Sequence, residues 1–185
     1  MKQNLKSDRH FVAVLWVIFG TLGRLIPHAP NVSPMTSIAL FSGSQLGRVL
    51  SFVVALLTMI ISDIALAKMT GYPAFGIWSI FTYSGFAAII VAGFWLRKNP
   101  SAARTFGFLL ASSFGFWLWT NFGIWATGES GMYPHTAQGL VACYVAALPF
   151  LGNALVGDMA WGFVLFMSFY GVRKLAPKCG VAVQN

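Results

Sequence analysis

Long apolar runs broken by short polar segments organise this chain. Four runs are long enough to cross the ~30 Å hydrocarbon core of a bilayer, which takes ~20 residues in a helix. They are Val49–Ala67, Phe75–Leu96, Thr105–Ala126 and Ala154–Val172. Two shorter runs, Phe11–Ile26 and Ser33–Gly47, read as further spans, and Ala137–Leu151 is apolar but contains Pro149. The first two runs are separated by RLIPHAPNVSPM, in which Pro27, Pro30 and Pro34 stop helix propagation and keep the backbone extended. Irregular backbone at membrane depth is tolerated only where protein or a watery cavity satisfies it, so this segment is expected to dip into a cavity.

Composition agrees with a lipid solvent. Of the 185 residues, 57% are hydrophobic and 9% charged, against about 25% charged in a soluble domain. The expected fold is an all-α integral membrane protein, one domain over 1–185. It has a cytoplasmic tail at 1–10, a six-helix transmembrane bundle over 11–172 and a second cytoplasmic tail at 173–185. Ala137–Leu151 is expected as an extra outer-side helix or re-entrant segment. The basic head and apolar run at the N-terminus have no small-residue cleavage site after them and read as an uncleaved first helix.

Charge sets the orientation. With six spans and both termini inside, ten of the twelve Lys and Arg residues lie on the inner side and only Arg24 and Lys68 on the outer, as the preference of cations for cytoplasmic flanks requires. A net charge of +8 therefore reads as topology. No basic patch with interleaved aromatics points to nucleic acid. Cys143 and Cys179 fall on opposite sides and are expected to be free thiols. Arg97, on the inner face, is expected to lie away from any site.

Polar residues collect on the outer side. Asp63, Asp158 and Arg24 are expected at similar depth there, with His28, Asn31, Asn121, Trp125, Tyr133, His135 and Asn153. Charged groups in membrane helices usually face a bundle interior or a cavity. These ten residues form the candidate ligand-binding set for an outward-facing pocket. A simpler alternative has Arg24 pair with Asp63 or Asp158 only to hold helices together. Trp117 and Trp119 read more readily as interfacial belt than as ligand contacts. No metal-ligand spacing occurs, so neither a metal nor a cofactor is expected. Small residues at Gly20 and Gly23, and at Ala111, Ser112, Ser113 and Gly115, mark places where helices approach closely. Asp63 and Asp158 could alternatively serve as an acid–base pair in an intramembrane hydrolase, but their flanks, ISDIA and VGDMA, lack a matching second signature. No catalytic residue is assigned. A structural or assembly subunit of a membrane complex is the other reading.

The strings RLIPHAPNVSPMTSIALFSG, LTMIISDIAL, TNFGIWATG and MYPHTAQGLVACYVAALPFLGNALVGD resemble a family of small, S-component-like bacterial membrane proteins. S components are the substrate-binding subunits of energy-coupling factor vitamin transporters. The resemblance runs from Arg24 to about Phe166. It implies a multi-pass protein of the bacterial inner membrane that takes up a vitamin or vitamin-like molecule from the outer face. Outer loops would gate the pocket, and an ATPase and scaffold module would drive delivery. The alanine stripe that such proteins carry on the first helix for that scaffold is missing from FVAVLWVIFGTLG. That departure looks more like the solitary cobalamin-type subclass, in which a cysteine near the start of the fourth helix can hold cobalt. Here that stretch carries Tyr83 and Ser84.

Overall fold

A computed structural model describes residues 2–26, 29, 31–128 and 131–175, with the backbone alone for 2–12 and 171–175. Among the described residues the chain is all-helical. Its six helices are α1 (Lys2–Leu25), α2 (Met35–Gln45), α3 (Arg48–Thr70), α4 (Trp78–Lys98), α5 (Ala102–Thr127) and α6 (Ala137–Leu175). Three of them are long and apolar enough to cross a membrane: α3, α4 and Ala137–Tyr170 of α6. Helix ends follow local chemistry. The Ser101 hydroxyl accepts from the Arg104 amide at 3.2 Å and caps α5. Gly71, at φ +79°, ends α3 in the left-handed conformation that suits glycine.

The second helix departs from the expected span. Its 11 residues reach about 16 Å, roughly half of the hydrocarbon thickness. Pro34 sets its start, and Leu46, in extended backbone, its end. Every residue from Met35 to Ser44 is buried. A helix with no polar face belongs at the centre of a bundle, and α2 packs against each of the other five. A turn precedes it, in which the Val32 amide donates to the Ala29 carbonyl at 3.0 Å, and Pro34 is fully buried. The start of α2 lies near the Arg24 end of α1, where Pro34 faces Gly23, and its end meets the start of α3 and the end of α4 through Ser51 and Arg97.

Close backbone approach seats α2. A Cβ on Gly93 of α4 would lie 2.6 Å from the Leu40 carbonyl oxygen and 2.8 Å from the Gly43 Cα. Gly43 faces the Ile90 carbonyl in the same way. The expected small-residue contacts on α1 are present too. A Cβ at Gly20 would sit 2.7 Å from the Thr58 methyl, and one at Gly23 2.7 Å from Pro34 Cγ. On α5 the pattern divides: Ser113 faces inward, while Gly115 meets nothing within 4 Å.

Arg97 has a structural task that its sequence position does not suggest. Its guanidinium donates to the carbonyls at the end of α2: Nε to Ser44 O at 3.0 Å, and Nη2 to Gly43 O at 2.5 Å and also to Leu46 O. These carbonyls have no partner within the helix. Arg97 is thus the C-terminal cap of the buried helix.

The Ala137–Leu151 segment is also corrected. It is neither a separate outer helix nor a re-entrant piece, but the first half of the continuous 39-residue α6, which runs through Pro149. That half is stitched to α5: Trp117 Nε1 donates to Ala147 O at 2.9 Å and the Tyr144 hydroxyl to Leu118 O at 3.0 Å. The remaining core is aromatic and aliphatic. Phe41 of α2 meets Trp16, Phe166 and Phe169 with ring centroids 5.0 to 5.3 Å apart.

Candidate functional site

A cavity of about 560 Å³ opens between α2, α4, α5 and α6. Its volume falls in the range of small-molecule sites, about 300–1,000 Å³. Five of the ten residues expected from the sequence line it: Arg24, Asn31, Asn121, Tyr133 and Asp158. Apolar walls come from Phe86, Phe116, Trp117, Ile124 and Phe150. Trp117 is therefore a buried wall residue and not belt. Trp119 does face outward, with its indole nitrogen donating to Ser84 Oγ at 2.8 Å.

Asp158 does not lie in the first turns of the last helix, because α6 begins at Ala137. It sits near the middle of α6, and its carboxylate accepts from Ser113 Oγ, midway along α5, at 2.5 Å. The Thr36 side chain at the start of α2 also lies beside this carboxylate. Ser37 donates to the Asp158 backbone carbonyl at 3.0 Å. Three helices thus converge on one carboxyl, and its side-chain partners are hydroxyls.

Asp63 belongs elsewhere. Arg24 Nη1 donates to Asp63 Oδ1 at 2.7 Å and to Ser62 Oγ at 2.6 Å. The Tyr83 hydroxyl donates to the other carboxylate oxygen at 2.8 Å. Asp63 and Tyr83 line a second, smaller cavity of about 220 Å³, and Arg24 and Thr82 line both. The ion pair lies between two cavities and ties α1 to α3 and α4. Arg24 pairs with Asp63, one of the two partners expected, and it also borders the main cavity.

Residues of two loops line the main cavity. Asn31 and Ser33 enter from the segment before α2, and Met132 and Tyr133 from the segment before α6. Asn31 adopts φ +64°, a left-handed conformation that asparagine accepts better than most residues. Trp125 and His135 do not line the cavity. They anchor the second loop: Trp125 Nε1 donates to Pro134 O at 3.0 Å, and its ring meets the His135 imidazole edge-on at 5.7 Å. Gly128, at φ +61°, leaves room there, since a Cβ would lie 2.9 Å from His135 Nε2. Trp125→Ala is expected to speed amide hydrogen exchange across 131–136 by about tenfold, the loss of one hydrogen bond and a ring contact. Exchange mass spectrometry checks this, with the core helices expected unchanged.

Asn153 is half-exposed and outside the cavity wall. His28 lies outside the described residues. Sequence reasoning missed Thr36, Ser113, Thr82 and Thr120, because single hydroxyls in apolar helices carry no motif. It also missed Cys143, which is free, buried and part of the cavity wall; Cys179 lies outside the described residues. Among the described residues no group of three or more His, Cys, Asp or Glu side chains is placed to hold a metal ion.

The chain belongs to the DUF6580 family, a family of unknown function whose model matches residues 4–179. No curated protein and no solved structure matches it.

Proposed function

We propose that this protein is a membrane-embedded binding protein for a vitamin-like small molecule, which it takes from the outer face of the bacterial inner membrane. The observation that carries the reading is the main cavity. It is mostly apolar, holds a few placed polar groups, reaches mid-bundle and is lined in part by residues of two short loops. In this reading the chain crosses the membrane six times, the second crossing being α2 and the irregular segment before it. Both termini are cytoplasmic, and the loops at Asn31 and Tyr133 face outward.

The cavity suits a ligand smaller than a whole corrinoid with its nucleotide tail, which turns the proposal away from cobalamin. Uptake alone or with an ATPase and scaffold module is compatible with the fold. A hydrolase built on Asp63 and Asp158 draws no support from their surroundings. Asp63 is held by Arg24 and Tyr83, and Asp158 by Ser113 and Thr36. A shared-proton pair needs the two carboxyls together.

The test is a vitamin panel presented to the protein in lipid nanodiscs. One member is expected to bind stoichiometrically. Ala154→Trp, which projects bulk from the cavity wall, is expected to weaken that binding about tenfold or more, the cost of displaced contacts. Arg104→Ala, at an exposed helix start, is expected to bind as the wild type does. No binding by any member, or equal losses in both variants, would remove the support.

A further inference from the structure

The main cavity contains a carboxyl with no counter-charge. Asp158 is 3% exposed, and among the described residues no cation lies within ion-pair distance of it. Arg24, the cation that shares the cavity wall, is already neutralised by Asp63 and braced by Ser62. An ionised carboxylate taken out of water without a partner is strongly disfavoured. A cation brought beside Asp158 would stabilise its ionised form. The same wall carries the rings of Phe86, Phe116 and Trp117, and aromatic faces attract desolvated cations.

We propose that the ligand is an organic cation, a protonated amine or a cationic heteroaromatic ring. Its positive centre pairs with Asp158, and its apolar body lies against Phe86, Phe116 and Trp117. The hydroxyls of Ser113 and Thr36 fix the carboxylate, leaving its remaining acceptor capacity for the ligand. An anion is disfavoured, because the lining that is not already paired is acidic. This inference rests on the reading of the cavity as a binding site.

Three indoles of similar size and different charge test it: tryptamine, tryptophol and indole-3-propionate, titrated calorimetrically into the protein in nanodiscs. Tryptamine is expected to bind about tenfold tighter than tryptophol, and the propionate weakest, as a desolvated ion pair with aromatic contact implies. Asp158→Asn keeps an acceptor for Ser113 and Thr36. It is expected to erase the charge preference while tryptophol binds as before. Equal binding of tryptamine and tryptophol to the wild type overturns the cation proposal and leaves the cavity as a site, and this comparison needs no variant to fold. A preference that survives in Asp158→Asn also overturns it. If none of the three binds, or if binding ignores Ala154→Trp, the binding-site reading fails and this proposal with it.

Discussion

Gly93→Ala destabilises the protein by about 3 kcal/mol or more, the upper range for overpacking a filled interior. Helix propensity alone predicts the opposite sign, since alanine is favoured over glycine by about 1 kcal/mol in a helix. Packing decides the outcome. The new methyl would meet the Leu40 carbonyl at 2.6 Å and the Gly43 Cα at 2.8 Å. Both are backbone atoms of a helix whose residues from Met35 to Ser44 are all buried. No side-chain rotation relieves the clash, so α2 and α4 must separate. Gly107→Ala is the paired control, because a Cβ there meets nothing within 4 Å. It is expected to be neutral or stabilising by up to about 1 kcal/mol. Thermal unfolding in detergent of the two variants gives opposite signs on this account, and equal shifts contradict it.

The second large effect is at Arg97. Arg97→Ala removes the donors to three carbonyls at the end of α2. Leu46 O keeps Ser51 Oγ at 3.5 Å, but Gly43 O and Ser44 O lose their side-chain donor at about 1–3 kcal/mol each, so the loss is expected to be about 2 kcal/mol or more. Its ring contact with Phe94, 5.7 Å from the guanidinium to the ring centroid, is lost as well. Arg97→Lys recovers only part of this, because a point-like ammonium cannot reproduce a planar fork of donors. Unfolding of the alanine variant, partial recovery in lysine and no change in Arg104→Ala form the expected series. A wild-type-like melting point for Arg97→Ala contradicts the capping role.

Both effects arise from what hydropathy does not record. The apolar runs at Val49–Ala67, Phe75–Leu96 and Thr105–Ala126 appear as α3, α4 and α5 within a few residues at most ends, but of these only α3 and α4 are long and apolar enough to cross a membrane. The same signal misjudged Ser33–Gly47. The run is largely apolar, but the helix begins only after Pro34 and has 11 residues, about 16 Å. It also divided α6, since Pro149 reads as a break while the helix runs through it. A proline in a membrane helix costs one hydrogen bond and is tolerated where neighbours compensate.

The candidate site was partly legible for a related reason. Ionisable and amide groups are rare in an apolar chain, so Arg24, Asn31, Asn121 and Asp158 stood out, and the structure brings them to one cavity. Their pairing was not legible. Arg24 could have met either aspartate, and only the packing of α1 on α3 assigns it to Asp63. The position of Asp158 along its helix was misjudged because α6 was taken to begin near Ala154, when it begins at Ala137. Trp125 and His135 show the limit of residue type as a guide. Both look like ligand contacts, and both instead hold the loop that places Met132 and Tyr133 at the cavity.

The central claim is that the cavity between α2, α4, α5 and α6 holds a small molecule. The most direct measurement is mass spectrometry of whatever denaturation releases from protein purified in mild detergent from cells grown in rich medium, run beside Ala154→Trp. The account predicts a single stoichiometric small molecule from the wild type and its loss from the folded variant. A wild type that releases nothing, and that stays empty after incubation with a vitamin panel, contradicts it.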